Sequence, residues 1–269
     1  MKIIDAHIHF YREEYFDQIA ERAGHKNNPE HLREVYREHG IRHAVVMGNR
    51  DLGLESHRYP EFLSYCVGLD SHYFKGADLQ AAAGLAEQHL KRKSCVGIKL
   101  YPGYNPTYVS DSVYHPFYEL AEQYGKPVAI HTGLTATSGA ALKYSHPLTV
   151  DEVAADFPRV QFVMCHLGNP WVVDAVAVMM KNPNVAADLS GLLEGMVPVE
   201  SLFSENSGYI RHLRTWLAYL GGYDRILYGT DWPLANIPGY IDFVARLIPQ
   251  QYHEQVFFDN ANRIYGLGL

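Results

Sequence analysis

The feature that most constrains this fold is an alternation of short apolar β-type runs with helical patterns along the whole chain. Eight runs are separated by segments whose apolar residues have helical spacing. The runs occupy residues 2–10, 43–47, 65–69, 95–100, 128–131, 160–165, 185–189 and 225–228. Strands joined by helices pair in parallel, and eight such units favour closure into a barrel. The sequence therefore predicts one α/β domain, a (β/α)8 TIM barrel spanning residues 1–269.

An open, doubly wound sheet is the competing architecture. A dinucleotide-binding sheet needs a Gly-x-Gly-x-x-Gly turn after its first strand, and this chain has none there. Four longer connections, residues 48–64, 101–113, 133–147 and 190–206, mostly follow strands. In a barrel this is the face on which active sites are built, so we expect the site there.

Composition and charge narrow the class of partner. The chain is 47% hydrophobic and 20% charged and has no apolar run long enough to span a membrane. Its formal charge is −7, and no long run of lysine and arginine is present, which argues against nucleic-acid binding. A small-molecule substrate is the expected partner.

The cysteines indicate a reducing compartment. Cys66, Cys95 and Cys165 are isolated from one another, and each lies in an apolar run, which predicts buried, reduced thiols. The chain starts with a strand pattern rather than a secretory signal, so the cytoplasm is the expected location.

The first strand carries a His-x-His pair. His7 and His9 lie two residues apart and therefore face the same side of a strand. A chain with 15 histidines contains about one such pair by chance, so the pair needs support from elsewhere.

That support comes from the ends of three later strands. His131 ends the fifth strand, His166 follows the sixth and Asp231 follows the eighth. Strand ends of a barrel meet at one rim, and imidazole and carboxylate groups suit a catalytic transition metal. We therefore predict a shared metal site. Six other histidines are expected to be solvated: His25, His31, His39, His89, His212 and His253.

The ordered set of strand-end motifs resembles the amidohydrolase superfamily, and more narrowly its amidohydrolase-2 branch, which includes the aminocarboxymuconate-semialdehyde decarboxylase-like enzymes. The resemblance runs from the first strand to the last helix. It is carried by Asp5-Ala6-His7-Ile8-His9, Gly97-Ile98-Lys99, Ile130-His131, Cys165-His166-Leu167-Gly168, Gly229-Thr230-Asp231-Trp232-Pro233 and Asn260-Ala261-Asn262-Arg263.

The resemblance implies one divalent ion, with zinc expected first and manganese, iron or nickel as alternatives. It implies His7, His9, His131 and Asp231 as metal ligands, and His166 as the acid/base or water-orienting group. Asp231 could also accept a proton while it binds the ion. The metal would lower the pKa of bound water, so no serine or cysteine nucleophile is required. Cys165 is expected on the opposite face of its strand from His166, in a packing role.

Lys99 leaves the number of ions open. In binuclear members of the superfamily a carboxylated lysine at this strand bridges two metals, and Lys99 is of the right type. The narrower branch often carries the lysine without a second ion, which makes Lys99 a candidate substrate-binding or structural cation instead.

Substrate contacts are predicted from position alone. Arg50 follows the second strand, where a guanidinium could bind a carboxylate. Tyr101, Tyr104, Trp171 and Trp232 follow strand ends, where aromatic rings could wall a planar ligand. A small carboxylated or cyclic substrate is therefore expected.

Three functional interpretations follow. The leading one is a metal-dependent hydrolase that cleaves a C–O or C–N bond of a small molecule. The alternative is a non-hydrolytic decarboxylase or hydratase of the same branch. A binding protein that retained the barrel without catalysis is the third. Homodimers are frequent in the family, so a homodimer remains an open expectation.

Overall fold

The structure is a computed structural model that describes residues 1–49, 51–69, 78–204 and 207–269. Within these ranges eight strands form one parallel sheet, in which each strand pairs with the next along the chain. The strands are β1 (Ile3–Ile8), β2 (Ile41–Met47), β3 (Leu63–Leu69), β4 (Cys95–Leu100), β5 (Val128–Ile130), β6 (Phe162–Met164), β7 (Val185–Asp188) and β8 (Ile226–Leu227).

The sheet closes between its first and last strands. The N–H of Ala6 donates to the carbonyl of Tyr228 at 2.9 Å, and Ile8 forms a parallel bridge with Trp232. The N–H of Asp231 also donates to the carbonyl of His7 at 2.9 Å. These contacts complete a nearly closed barrel and confirm the predicted TIM-barrel fold. They also bring His7 and Asp231, 224 positions apart in the sequence, to the same point.

Helices separate the strands and cover the barrel. In the described ranges no helix is both long and apolar enough to cross a bilayer. The helices are α1 (Glu14–Arg22), α2 (Pro29–His39), α3 (Leu79–Leu90), α4 (His115–Tyr124), α5 (Thr149–Asp156), α6 (Val172–Lys181), α7 (Val199–Ser204), α8 (Gly208–Tyr219), α9 (Ile237–Leu247) and α10 (Asn260–Ile264).

Helix α2 shows how local sequence sets these boundaries. The side chain of Asn28 accepts a hydrogen bond from the N–H of His31 at 2.8 Å, and Pro29 occupies the first helical turn. Gly40 ends the helix with a φ of 75°, a conformation that glycine adopts without steric cost. The chain then enters β2 directly, so the outer helix is tied closely to the sheet.

Five strands, β1, β5, β6, β7 and β8, end one or two residues earlier than their apolar runs predict. β6 ends at Met164, because His166 and Leu167 adopt left-handed backbone angles with φ of 62° and 46°. β8 ends at Leu227, and Asp231 has a φ of 59°. Strand alternation therefore no longer sets the direction of the side chains beyond Met164.

Helices α1 and α7 are further differences, since the sequence patterns did not predict them.

The expectation that six histidines are solvated is wrong for His25 and His89. His89 is fully buried, because its ring bonds the hydroxyl of Tyr65 at 2.8 Å and the carbonyl of Leu52 at 3.0 Å. His25 is 8% exposed and its Nε2 accepts a hydrogen bond from the N–H of Ile237. A polar ring can be buried when both nitrogens find partners, and helical periodicity does not reveal those partners.

Candidate metal and acid/base site

The ends of β1 and β8 bring three metal-type side chains together. The Nε2 atoms of His7 and His9 lie 3.4 and 3.3 Å from Oδ1 of Asp231. Within the described chain, candidate ligand atoms of His7, His9 and Asp231 all lie within 4.8 Å of one another. Nε2 of His7 and Oδ1 of Asp231 are buried there without a hydrogen-bond partner. Buried polar atoms without partners are costly, so their convergence marks a position suited to binding a ligand.

These distances fit a divalent metal ion. Ligand atoms about 2.1 Å from a tetrahedral ion lie roughly 3.4 Å from one another. The separations of 3.4 and 3.3 Å match that edge length, and two imidazoles with a carboxylate form a donor set that zinc, iron or manganese accepts. The three residues therefore fit the group that the sequence predicted.

His7 is held in the form that binds metals. Its Nδ1 donates to Oδ2 of Asp188 at 2.9 Å, which leaves Nε2 without a proton and directed at Asp231. Burial lowers the pKa of His7 to about 4, although the carboxylate of Asp188 opposes the shift. The ring is therefore neutral near pH 7. A carboxylate behind a ligating histidine is a common orienting device in metal sites.

The position of Asp231 depends on a second buried carboxylate. Asp5 accepts hydrogen bonds from the N–H and the hydroxyl of Thr230 at 2.8 and 2.6 Å, and from the hydroxyl of Tyr36 at 3.0 Å. These bonds attach the start of β1 to the segment that carries Asp231. Burial raises the pKa of Asp231, but the nearby His7 and His166 outweigh it and hold the pKa well below its usual range. Asp231 is therefore an ionised carboxylate.

His166 stands beside these three residues with a defined tautomer. Its ring lies 4.8 Å from the ring of His7, and its Nδ1 is 3.9 Å from Oδ2 of Asp231. The hydroxyl of Ser190 donates its only hydrogen to Asp188 at 2.5 Å. Its oxygen must therefore accept the hydrogen bond that joins it to Nδ1 of His166 at 2.9 Å. The proton therefore resides on Nδ1, and Nε2 is the basic nitrogen.

His131 lies in the same cavity but makes a different contact. Its ring is 5.0 Å from that of His166, and its Nε2 donates to the carbonyl of Leu134 at 3.0 Å. Burial and the neighbouring His166 lower its pKa well below the usual value. The structure does not bring His131 into the group formed by His7, His9 and Asp231, so its role as a fourth ligand stays a prediction.

A cavity of about 310 Å³ opens above the metal-type residues. Phe16 of α1 stacks on His9 with ring centroids 5.8 Å apart, and Tyr101 and Tyr104 form a second aromatic wall. Among the described residues that line this cavity, Lys99 is the only lysine or arginine. A cavity of this size, with aromatic walls and a few polar groups, suits a small planar molecule.

Comparison with known proteins assigns this barrel to a family. The sequence model described as amidohydrolase matches residues 4–267, which is nearly the whole chain. The chain belongs to the amidohydrolase family. Its place in the amidohydrolase-2 branch agrees with the resemblance of its strand-end motifs. The comparison with curated proteins finds no match.

Solved structures of amidohydrolases and related barrels share the fold. A TIM-barrel protein from Bordetella bronchiseptica is 22% identical with a TM-score of 0.74, and 99% of each chain is covered. An amidohydrolase from Burkholderia multivorans with bound zinc is 17% identical with a TM-score of 0.68, covering 99% of this chain and 100% of that one. The 5-carboxyvanillate decarboxylase of Sphingomonas paucimobilis is 15% identical with a TM-score of 0.65, covering 98% and 99%.

The predicted substrate residues of this amidohydrolase fall in different places. Tyr101 lines the cavity, and its hydroxyl donates to the carbonyl of Met47 at 3.2 Å. Trp171 packs on the ring of His146, and Trp232 is buried against His25, so neither ring lines the cavity of 310 Å³. Arg50 lies outside the described residues.

Three amidohydrolase residues at this site escaped the sequence analysis. Asp188 ends β7 and orients His7, and Ser190 sets the tautomer of His166. Asp188 offered a signal, because it is a carboxylate at a strand end like the predicted ligands. Gly191 has a φ of 61°, and a Cβ there would lie 2.7 Å from Nδ1 of His166. Because Gly191 has no side chain, the segment after β7 can approach the ring of His166, which follows β6.

The predicted direction of Cys165 is also wrong. Its Sγ lies 2.7 Å from Nζ of Lys99, a residue that lines the cavity, rather than on a face remote from the site. The reason is that β6 ends at Met164, so the two-residue alternation of a strand no longer applies to Cys165 and His166. All three cysteines are buried free thiols, as the sequence predicted.

Proposed function

We propose that this amidohydrolase is a metal-dependent hydrolase that cleaves a C–O or C–N bond of a small cyclic, carboxylated molecule such as a lactone. One observation carries the proposal. Among the described residues, Nε2 of His7 and Oδ1 of Asp231 are buried, unpartnered and 3.4 Å apart, next to His166, whose Nε2 carries no proton. This combination supplies both a place for a Lewis acid and a group that moves a proton.

His7, His9 and Asp231 would hold the ion, with His131 as the proposed fourth ligand. A divalent ion bound there would lower the pKa of water and polarise the bond to be cleaved. The zinc in the related Burkholderia structure supports zinc as the first candidate. The contact of Lys99 with Cys165 supports a single ion, because a bridging lysine would have to leave that contact.

His166 would act as the general base and acid. Ser190 holds the proton on Nδ1, so Nε2 accepts a proton from the attacking water and returns it to the leaving oxygen or nitrogen. Asp231 is ionised and lies 3.9 Å from Nδ1 of His166. It would therefore stabilise the imidazolium that exists after His166 accepts the proton and before it returns it.

Lys99 and the aromatic walls would select the substrate. The ammonium group of a buried lysine gains a partner when a substrate carboxylate binds, and Tyr101 and Tyr104 border a space suited to a flat ring. The predicted contribution of Arg50 belongs to the same proposal. The free, buried thiols support a cytoplasmic location, and we propose a homodimer that binds neither nucleic acid nor membrane.

Decarboxylation is the second candidate. The observation that favours it is the pairing of a buried cation, Lys99, with aromatic walls, which would bind an aromatic carboxylate beside His166. In that reaction Nε2 of His166 would take up a proton from solvent and deliver it to the ring carbon that loses carbon dioxide. The related 5-carboxyvanillate decarboxylase has the same fold.

One experiment tests both candidates. The purified protein is analysed for metals and then incubated with lactones, amides and aromatic or unsaturated dicarboxylates in ¹⁸O-labelled water. Hydrolysis places labelled oxygen in the organic product, whereas decarboxylation releases carbon dioxide and leaves the organic product without the label. Chelation should abolish turnover and zinc or manganese should restore it. Activity that survives complete metal removal would refute the proposal, and two ions per chain would refute the mononuclear site. A protein that binds these compounds without converting any of them would instead be the non-catalytic barrel.

A further inference from the structure

A buried pair outside the proposed proton-transfer steps combines an amine with a thiol. Lys99 on β4 and Cys165 after β6 are both fully buried. Nζ of Lys99 lies 2.7 Å from Sγ of Cys165. Among the described residues, Cys165 is the only hydrogen-bond partner of that nitrogen, and no carboxylate forms an ion pair with it.

The separation of 2.7 Å is short for these two elements. An ordinary N–H···O hydrogen bond measures about 2.9–3.0 Å, and sulfur is a larger atom than oxygen. A contact of 2.7 Å is instead close to the span of one oxygen atom that is singly bonded to both nitrogen and sulfur. The barrel therefore holds the two atoms where a single bridging oxygen fits without movement of either strand.

We propose that Lys99 and Cys165 are a redox modification site, where hydrogen peroxide joins the two side chains through an N–O–S bridge. Two peroxide molecules react with one thiol and one ammonium group. The S–H bond, two N–H bonds, one peroxide O–H bond and two O–O bonds break, while one N–O bond, one O–S bond and three O–H bonds of water form. Three water molecules and one proton leave. The pair loses four electrons and each peroxide gains two, so the reaction balances.

Access and charge favour this pair over the other cysteines. Lys99 is buried but borders the cavity of about 310 Å³, so a molecule as small as peroxide that enters the cavity needs only small side-chain movements to meet its amine. A buried ammonium group without a carboxylate is costly, and the bridge removes that charge. Cys95 differs, because its Sγ donates to the carbonyl of Gly97, and the nearby Lys126 donates to backbone carbonyls instead.

The bridge would act as a switch on the cavity. If the proposed function is correct, bridged Lys99 no longer offers an ammonium group to a substrate carboxylate, so oxidised protein loses affinity for acidic substrates. The chemical modification itself does not depend on that function. Its failure and the failure of the proposed function are therefore distinguished by measuring mass rather than turnover.

The test is intact-protein mass spectrometry before and after treatment with hydrogen peroxide, followed by peptide mapping. An N–O–S bridge adds one oxygen and removes two hydrogens, a gain of about 14 Da, and a thiol reductant should reverse it. Mapping of the wild-type protein should recover one joined species that contains both Lys99 and Cys165.

Variants provide the controls. Cys165→Ser and Lys99→Met should each abolish the gain, whereas Cys66→Ser and Cys95→Ser, which alter the other two buried thiols, should retain it. A gain of about 16 or 32 Da would indicate oxidation of sulfur alone, and a loss of about 2 Da a disulfide or a direct S–N bond. Each of these results, or an unchanged mass, would overturn the proposal. The wild-type peptide map gives a decision even if Lys99→Met fails to fold.

Discussion

Two groups of histidines in this barrel behave in opposite ways. The rim group consists of His7, His9 and His166 together with Asp231. The wall pair consists of His57 and His89, which pack edge to face with ring centroids 4.7 Å apart. In the wall pair, His89 bonds Tyr65 and Leu52, and Nε2 of His57 donates to the carbonyl of Asp51 at 2.9 Å. In the rim group, Nε2 of His7 and Nδ1 of His9 have no hydrogen-bond partner within the described part of the chain.

The comparison separates burial from function. Both groups contain imidazoles whose pKa is lowered by burial, to about 4 for His7 and for His89. What distinguishes them is whether the ring nitrogens are satisfied by the protein. A ring whose nitrogens are hydrogen-bonded by the protein contributes to stability, whereas a ring with an unbonded nitrogen can bind a ligand. The two kinds of ring should therefore respond differently to substitution.

The largest expected effect is on the rim group. His9→Gln should weaken metal affinity by more than about 100-fold and abolish turnover. Loss of a residue that only hydrogen-bonds a metal ligand can already cost up to about 100-fold, so loss of a ligand itself should cost more. His9 is chosen because its side chain is 14% exposed, so its removal should leave the fold intact. Elemental analysis after dialysis gives the measurement. His43→Gln, on β2 outside the cavity, is the matched control and should retain the ion. If His9→Gln retains a full complement of metal, His9 is not a metal ligand.

His166→Asn tests the division of roles within the rim group. Loss of a general acid/base typically slows turnover by about 10²–10⁴-fold, so kcat should fall by this amount while the metal content stays unchanged. Steady-state kinetics and elemental analysis on the same sample check both parts. If the ion is lost together with activity, His166 is a ligand and the assignment of the base is wrong.

His89→Leu should leave activity intact and reduce stability. The substitution leaves the hydroxyl of Tyr65 and the carbonyl of Leu52 without this buried partner, which should lower the free energy of unfolding by about 3 kcal/mol. Urea unfolding measures the change. His39→Leu alters an exposed histidine and should shift stability by less than about 0.5 kcal/mol. Equal stability of the two variants would end the distinction between buried and exposed histidines.

The smallest effect is the pH dependence of the wall pair. The pKa of His89 is lowered from 6.5 to about 4, chiefly by burial. As pH falls, His89 is therefore protonated in the unfolded chain before it is protonated in the folded protein. The contribution to stability is therefore complete above pH 6.5 and is lost between there and pH 4. At pH 5 the loss amounts to about 2 kcal/mol. The difference between wild type and His89→Leu, unfolded in urea at pH 7.5 and pH 5, should narrow by that amount. A constant difference would contradict the assignment.

Much of the architecture was predictable from local sequence. The alternation of apolar runs and helical patterns determined eight strands in one barrel, because the two periodicities differ and each element must bury one face. Parallel strands place their C-terminal ends at a common rim. For that reason His7, His9, His131, His166 and Asp231, each at or just after a strand end, could be grouped before any distance was known, and all five line the same cavity.

The sequence by itself therefore determined the barrel, the family and the residues that gather at its rim. Only the tertiary structure decided how their atoms are used: Asp188 and Ser190 set the tautomers of His7 and His166, His131 bonds the carbonyl of Leu134, and Cys165 meets Lys99. Periodicity fixes which face a side chain occupies while a strand continues. Beyond a strand end the backbone turns through conformations such as the positive φ of His166, and the partners then depend on distant segments.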